Sequence, residues 1–113
     1  RKLVFSGDLG QPCRPLVRDP VPVAEADVLV VESTYGNRLH KTMDETLAEL
    51  EHAVSDTLTR KKGNVIIPAF AVGRTQEILY LLVDLYRRDR LPEMDIYVDS
   101  PMALKATEIT AKH

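Results

Sequence analysis

The run Val28-Leu29-Val30-Val31, ending in Glu32 and followed by Ser33-Thr34-Tyr35-Gly36, constrains this chain most. Four apolar residues, three of them β-branched, predict a strand buried on both faces. Glu32 then stands at the carboxyl end of that strand, and a carboxylate there is costly to bury without a partner. Open α/β sheets place their ligand crevices at the carboxyl ends of strands. An earlier run repeats the arrangement, with Leu3-Val4-Phe5-Ser6-Gly7 ending in Asp8. Two apolar strands delivering an acid to one sheet edge point to a site. Each acid can equally begin a loop or cap the turn that follows it.

Composition bounds the function classes. The 113 residues suffice for one small domain, and 44% apolar with 28% charged residues describe a soluble globular protein. The formal charge of −2 gives no global attraction to nucleic acid, so contact with a polyanion must be local. The single Cys13 excludes an internal disulfide and an all-cysteine zinc site. It fits a reducing, cytoplasmic location. No signal peptide and no bilayer-spanning apolar run is visible, so no membrane partner is expected. The chain opens on Arg1-Lys2 directly before a strand, and the stretch from Glu108 to His113 reads as helix to its last residue. It is therefore read as an excerpt of a longer protein.

Along the chain, strands are predicted over 2–6 and 26–31. Between them, Pro12, Pro15, Pro20 and Pro22 impose a long loop. Thr42, three before Glu45, opens a helix with the spacing of a capping box. Met43, Leu47, Leu50, Val54 and Leu58 give that helix one apolar stripe. Arg60, Lys61 and Lys62 fill its last turn, where they complement the helix dipole or else touch phosphate, and Gly63 stops it. Val65-Ile66-Ile67 reads as a third strand within 64–68, and 95–98 as a fourth. A helix runs between them from about Arg74 to Arg90. Ser100 and Pro101 open a last helix as N-cap and first helical residue. Strand, helix, strand, helix in this order predicts a parallel pair with a right-handed crossover. The fold class is α/β.

Three places could carry chemistry. Asp8 and Glu32 are acids of the kind hydrolytic metal sites use, but His40, His52 and His113 lack the spacing of metal ligands. No serine stands in a triad-like array. The turns at Gly73-Arg74 and at Ser100 form a second candidate, since helix starts attract phosphate oxygens and Arg74 could clamp an oxyanion. Gly73 as a plain loop residue and Ser100 as a plain cap are the alternatives. Tyr35 could stack on a base or wedge its turn, and the absence of tryptophan argues against an extended stacking platform.

Four ordered segments resemble one family: Phe5-Ser6-Gly7-Asp8, Glu32-Ser33-Thr34-Tyr35-Gly36, Ile67 through Glu77, and Asp99-Ser100-Pro101-Met102-Ala103. They look like the β-CASP nucleases, metallo-β-lactamase-fold enzymes that include the cleavage-and-polyadenylation endonuclease, its prokaryotic relatives and the ribonuclease J group. The segment from Tyr35 to His40 is most similar to the RNA-processing prokaryotic members. The resemblance implies that residues 1–36 complete a metallo-β-lactamase sandwich and that 37–113 begin a mainly parallel β-CASP α/β domain. It implies a zinc-dependent RNA phosphodiesterase, with Asp8 bridging two zinc ions. Glu32 would orient a histidine that stabilises the leaving group. RNA would lie between the two domains, and a homodimer of the full-length protein is compatible with it.

The histidine-rich motif of the family would lie upstream of Arg1, and His113 follows Ser100 too soon to be one of its later histidines. The chain alone is thus expected to bind no zinc tightly and to hydrolyse nothing. Two rivals stand beside this reading. One is a non-catalytic RNA- or protein-binding subunit of the same fold. The other is an α/β domain binding a small phosphorylated ligand at Gly73 and Ser100.

Overall fold

The apolar runs that open the chain meet as a ribbon. In the computed structural model, which describes residues 1–112, Leu3–Phe5 (β1) pairs in parallel with Val28–Val30 (β2). The register is Leu3↔Val28, Val4↔Leu29, Phe5↔Val30. The Asp27 N–H donates to the Lys2 carbonyl at one end and the Ser6 N–H to the Val30 carbonyl at the other, each at 2.9 Å. The strands are shorter than predicted, and they are not buried on both faces. Phe5 is 71% exposed and Leu29 58%. An apolar run becomes a core only where further layers cover it, and two strands of three residues make one marginal ribbon. The proline-rich loop between them has neither helix nor strand, as its prolines require. Residues 1–40 form one structural unit, and a second begins at Lys41.

The second unit is helical. Met43–Ser55 (α1) starts in a complete capping box: the Glu45 N–H donates to Thr42 Oγ1 at 3.3 Å and the Thr42 N–H to Glu45 Oε2 at 2.8 Å. Its stripe does not continue to Lys62 as regular α-helix. Asp56–Arg60 form a π-helical turn. Arg60 and Lys61 both pair with Asp56, with Lys61 Nζ at 3.1 Å. They therefore neutralise a side chain rather than only the helix end. These two cations hold the Asp56 carboxyl well below its ordinary value. The stop also falls one residue earlier than expected, for Lys62 and not Gly63 takes positive φ, at 54°.

Arg74–Arg87 (α2) buries Leu81, Leu82 and Leu85. Leu85 is fully buried and packs with Val54, Leu82 and Leu91, flanked by Leu47, Leu50 and Ile78. The stripe read from sequence on α1 thus meets Ile78, Leu82 and Leu85 of α2 in one core. Arg90, beyond the end of α2, pairs with Glu51 on α1. Pro101–Thr110 (α3) is capped by Ser100, whose Oγ accepts the Ala103 N–H at 3.2 Å. No helix among the described residues is long and apolar enough to cross a membrane. His113 lies outside the described residues.

The third and fourth strands do not form. Residues 64–68 and 95–98 contain no strand, helix, turn or bend, and they do not pair, so the predicted parallel pair with its crossover is absent. Unlike a helix, a strand satisfies none of its own main-chain groups and exists only beside a partner. Both runs stand over the helices, at the wall of a groove of about 940 Å³.

Candidate functional site

The parallel pairing of β1 and β2 sends Ser6-Gly7-Asp8 and Val31-Glu32 out from the same end of the ribbon. Gly7 turns the first chain with φ of 56°, in the left-handed region that favours glycine. Ser6 ties the two tips together: its Oγ accepts the Glu32 N–H at 3.0 Å and donates to the Gly7 carbonyl at 2.7 Å. Asp8 is exposed and makes no hydrogen bond or ion pair to another described residue. Glu32 is half-buried, and its Oε2 accepts the Thr34 N–H at 2.9 Å.

Glu32 therefore does cap the turn that follows it. The Thr34 N–H, then the Thr34 side chain, hold its carboxyl below the ordinary value against the opposing effect of burial, and the Leu9 N–H adds the least. Leu9 belongs to the loop that carries Asp8, so this contribution also joins the two acidic tips. Beyond the turn, Tyr35 meets His40 edge to face with ring centroids 5.4 Å apart, and the Arg38 guanidinium lies 5.4 Å from its ring centre. Tyr35 organises its own turn in this way.

Zinc takes about four nitrogen, sulfur or oxygen ligands. Among the described residues no three His, Cys, Asp or Glu side chains gather into a group that could hold a metal. Asp8 with its neighbours thus does not fit a zinc centre by itself. A charged, exposed carboxylate beside an ordered tip can serve as one ligand of a site completed by other groups.

The second candidate looks different in atomic detail. Gly73, at φ 82°, precedes α2, but the donors there are already engaged. The Gly73 N–H goes to Gln76 Oε1 at 2.7 Å, the Arg74 N–H to the Val72 carbonyl at 3.1 Å and the Thr75 N–H to the Phe70 carbonyl at 3.3 Å. The Arg74 guanidinium pairs with Glu77 at 2.9 Å. A phosphate at Gly73 and Arg74 would have to displace these partners. Ser100 Oγ is likewise occupied as a cap.

What brings these two turns to one end of the helices is Gln76, to which the sequence reading gave no role. It is 5% exposed, and its Nε2 donates to the Ala71 carbonyl at 3.1 Å, the Ala103 carbonyl at 3.3 Å and Thr107 Oγ1 at 3.0 Å. A buried amide with each polar atom paired joins the loop before α2 to the first turns of α3. The signal was present in the sequence: Gln three residues after Gly73 has capping-box spacing, on the inward side of an amphipathic helix.

Comparisons with known proteins agree with the motifs. Residues 75–113 match the Beta-Casp domain. The chain is 46% identical to "Ribonuclease TTHA0252" of Thermus thermophilus over 103 residues, which are 91% of this chain and 23% of the relative. It is 36% identical to "RNase J-like protein" of Methanocaldococcus jannaschii over 108 residues, 90% of this chain and 25% of that protein. It is 33% identical to "Cleavage and polyadenylation specificity factor 73" of Drosophila melanogaster, with 96% of this chain and 16% of that protein covered. The chain thus spans a quarter or less of the length of these relatives. No solved structure matches it. The domain match over its last third, and relatives aligned along nine-tenths or more of its length, show that this chain belongs to the β-CASP family.

Proposed function

We propose that this chain is part of an RNA phosphodiesterase that cleaves the RNA backbone by metal-assisted hydrolysis. The observation that carries the reading is the pair of acidic tips on neighbouring parallel strands, cross-tied by Ser6, in a chain whose relatives are named ribonucleases. Asp8 is the proposed metal ligand, exposed and uncommitted at its tip. Glu32 is the proposed positioning acid. Thr34 fixes its carboxylate at the tip, and from there it would orient a histidine from outside this chain. Two zinc ions are proposed for the longer protein, held mainly by histidines that these residues do not include. Residues 1–36 would then close a metallo-β-lactamase sandwich and 37–113 would open the β-CASP domain. A cytoplasmic location accords with the single, exposed Cys13. Gly73, Arg74 and Ser100 take a structural role in this reading, because their donors already have partners.

The test is cleavage of end-labelled RNA by the longer protein, paired with its zinc content by mass spectrometry. Asp8→Asn is expected to lower both bound zinc and cleavage at least tenfold, since metal-ligand sets are sensitive to such changes. Glu32→Gln is expected to lower cleavage while zinc stays bound. The 113-residue chain alone is expected to retain no stoichiometric zinc and to cleave nothing. Full activity in Asp8→Asn would overturn the assignment of Asp8. A wild-type longer protein that binds RNA without cutting it would favour the non-catalytic subunit instead.

A further inference from the structure

Two stretches of this chain have the composition of buried strands and the structure of neither strand nor helix. Val65-Ile66-Ile67 and Ile96-Tyr97-Val98 would each suit the middle of a sheet covered on both sides. Both instead run bare of partners. No main-chain N–H or carbonyl of residues 64–69 or 93–99 makes a hydrogen bond to another described residue. Ile66 is 90% exposed and Tyr97 87%.

The two runs line one groove of about 940 Å³, whose remaining wall is apolar and helical, from Val54, Leu58, Ile78, Leu82 and Ala103. Helices with an apolar face bury it against a further layer, of sheet or of helices. Directly paired strands lie about 4.8 Å apart and leave no groove between them. The helix joining these runs is well packed, with Leu85 fully buried, so poor packing below them does not explain the gap.

We propose that the groove is the seat of one further β-strand, which enters between residues 64–68 and 95–98 and pairs with both. Its source is the same longer polypeptide, of which the relatives carry far more than the matched 23% or 25%. Its chemistry follows from the walls. The central residues are apolar, to lie on Leu82 and Ile78, and a basic residue flanks them, because Glu93, Asp95 and Asp99 line one side. The order of strands in this layer is thus not the order in the chain. The two runs become edge partners of a third strand rather than of each other. The proposal needs only that this segment stands in a longer protein, so a catalytically dead protein tests it as well as an active one.

Amide hydrogen exchange on the 113-residue chain and on the longer protein reads it directly. Amides of residues 65–67 and 96–98 are expected to exchange freely in the short chain and at least about 100-fold more slowly in the longer one. A second measurement fixes the spacing. In the longer protein carrying Cys13→Ser, each pair made from Val65→Cys, Ile66→Cys or Ile67→Cys with Ile96→Cys, Tyr97→Cys or Val98→Cys is expected to resist oxidation. An intervening strand sets the runs about 9.6 Å apart, beyond the roughly 7 Å that a disulfide spans. Ready cross-linking of any pair would show that the runs pair directly and would overturn the proposal. So would amides that stay unprotected in the longer protein. Protection that appears in the short chain as its concentration rises, with a dimer by light scattering, would give the groove to a second copy and also overturn it. Exchange on the unmodified protein decides the matter if the cysteine variants do not fold.

Discussion

Residues 1–40 and the helical unit from Lys41 onward are comparably apolar at their motifs and differ completely in what they bury. The helical unit places Leu85 out of solvent altogether, and Val54 and Leu82 nearly so. In the first unit no residue is buried, and the run Val28-Leu29-Val30 stays half exposed or more. The same side-chain types thus have opposite fates. An amphipathic helix completes its hydrogen bonds internally and needs one neighbour to hide its stripe. A strand needs neighbours on two edges and layers on two faces.

Substitutions sharpen this contrast, beginning with the one of largest effect. Leu85→Ala is expected to cost the helical unit about 2–5 kcal/mol, as for other fully buried leucines. Urea unfolding followed by far-ultraviolet circular dichroism measures it, and a loss under about 1 kcal/mol would mean that the core is looser than it looks. Gln76→Leu comes next. It strands the Gly73 N–H and removes the tie to α3, at about 1–3 kcal/mol, read as a lower unfolding midpoint. Thr42→Ala removes the cap of α1 and is expected to cost about 1 kcal/mol. Leu29→Ala, in the centre of β2, is expected to change the stability of the short chain by no more than about 0.5 kcal/mol. A large loss at Leu29 would break the comparison, because it would reveal a hidden core in the first unit.

Acid supplies the smallest test. Glu32, Glu45 and Asp56 all have lowered pKa values, from Thr34, Thr42 and Arg60 respectively as the largest cause. Each therefore stabilises the folded chain above its ordinary value, 4.5 for glutamate and 3.8 for aspartate. That contribution is lost as pH falls through the lowered folded value. The melting temperature of the helical unit is expected to fall as pH drops below those ordinary values. Asp56→Asn is expected to flatten the fall, and an unchanged slope would remove Asp56 from the account.

Legibility followed the same division as stability. The Thr42 and Glu45 capping box, the Ser100 cap and the stripe of α1 were readable because each depends on residues within a few turns of one another. The motif positions of Asp8 and Glu32 were readable too, and β1 and β2 do pair in parallel. The occupied donors around Gly73 were not readable, because Val72 and Phe70 reach them through the particular path of a loop. Gln76 was not readable as the amide joining the loop before α2 to α3, since its partners Ala103 and Thr107 lie 27 and 31 residues away.

The sequence by itself determined where the helices begin, which of their faces turn inward and which acids follow the two apolar runs. Those outcomes are set by hydrogen bonds and contacts between near neighbours in the chain. Only the tertiary structure decided that Val65-Ile66-Ile67 and Ile96-Tyr97-Val98 remain unpaired across a groove, and that Gln76 links the loop before α2 to α3. A strand's partner is never specified within the strand, and a buried amide takes whichever carbonyl the fold delivers to it.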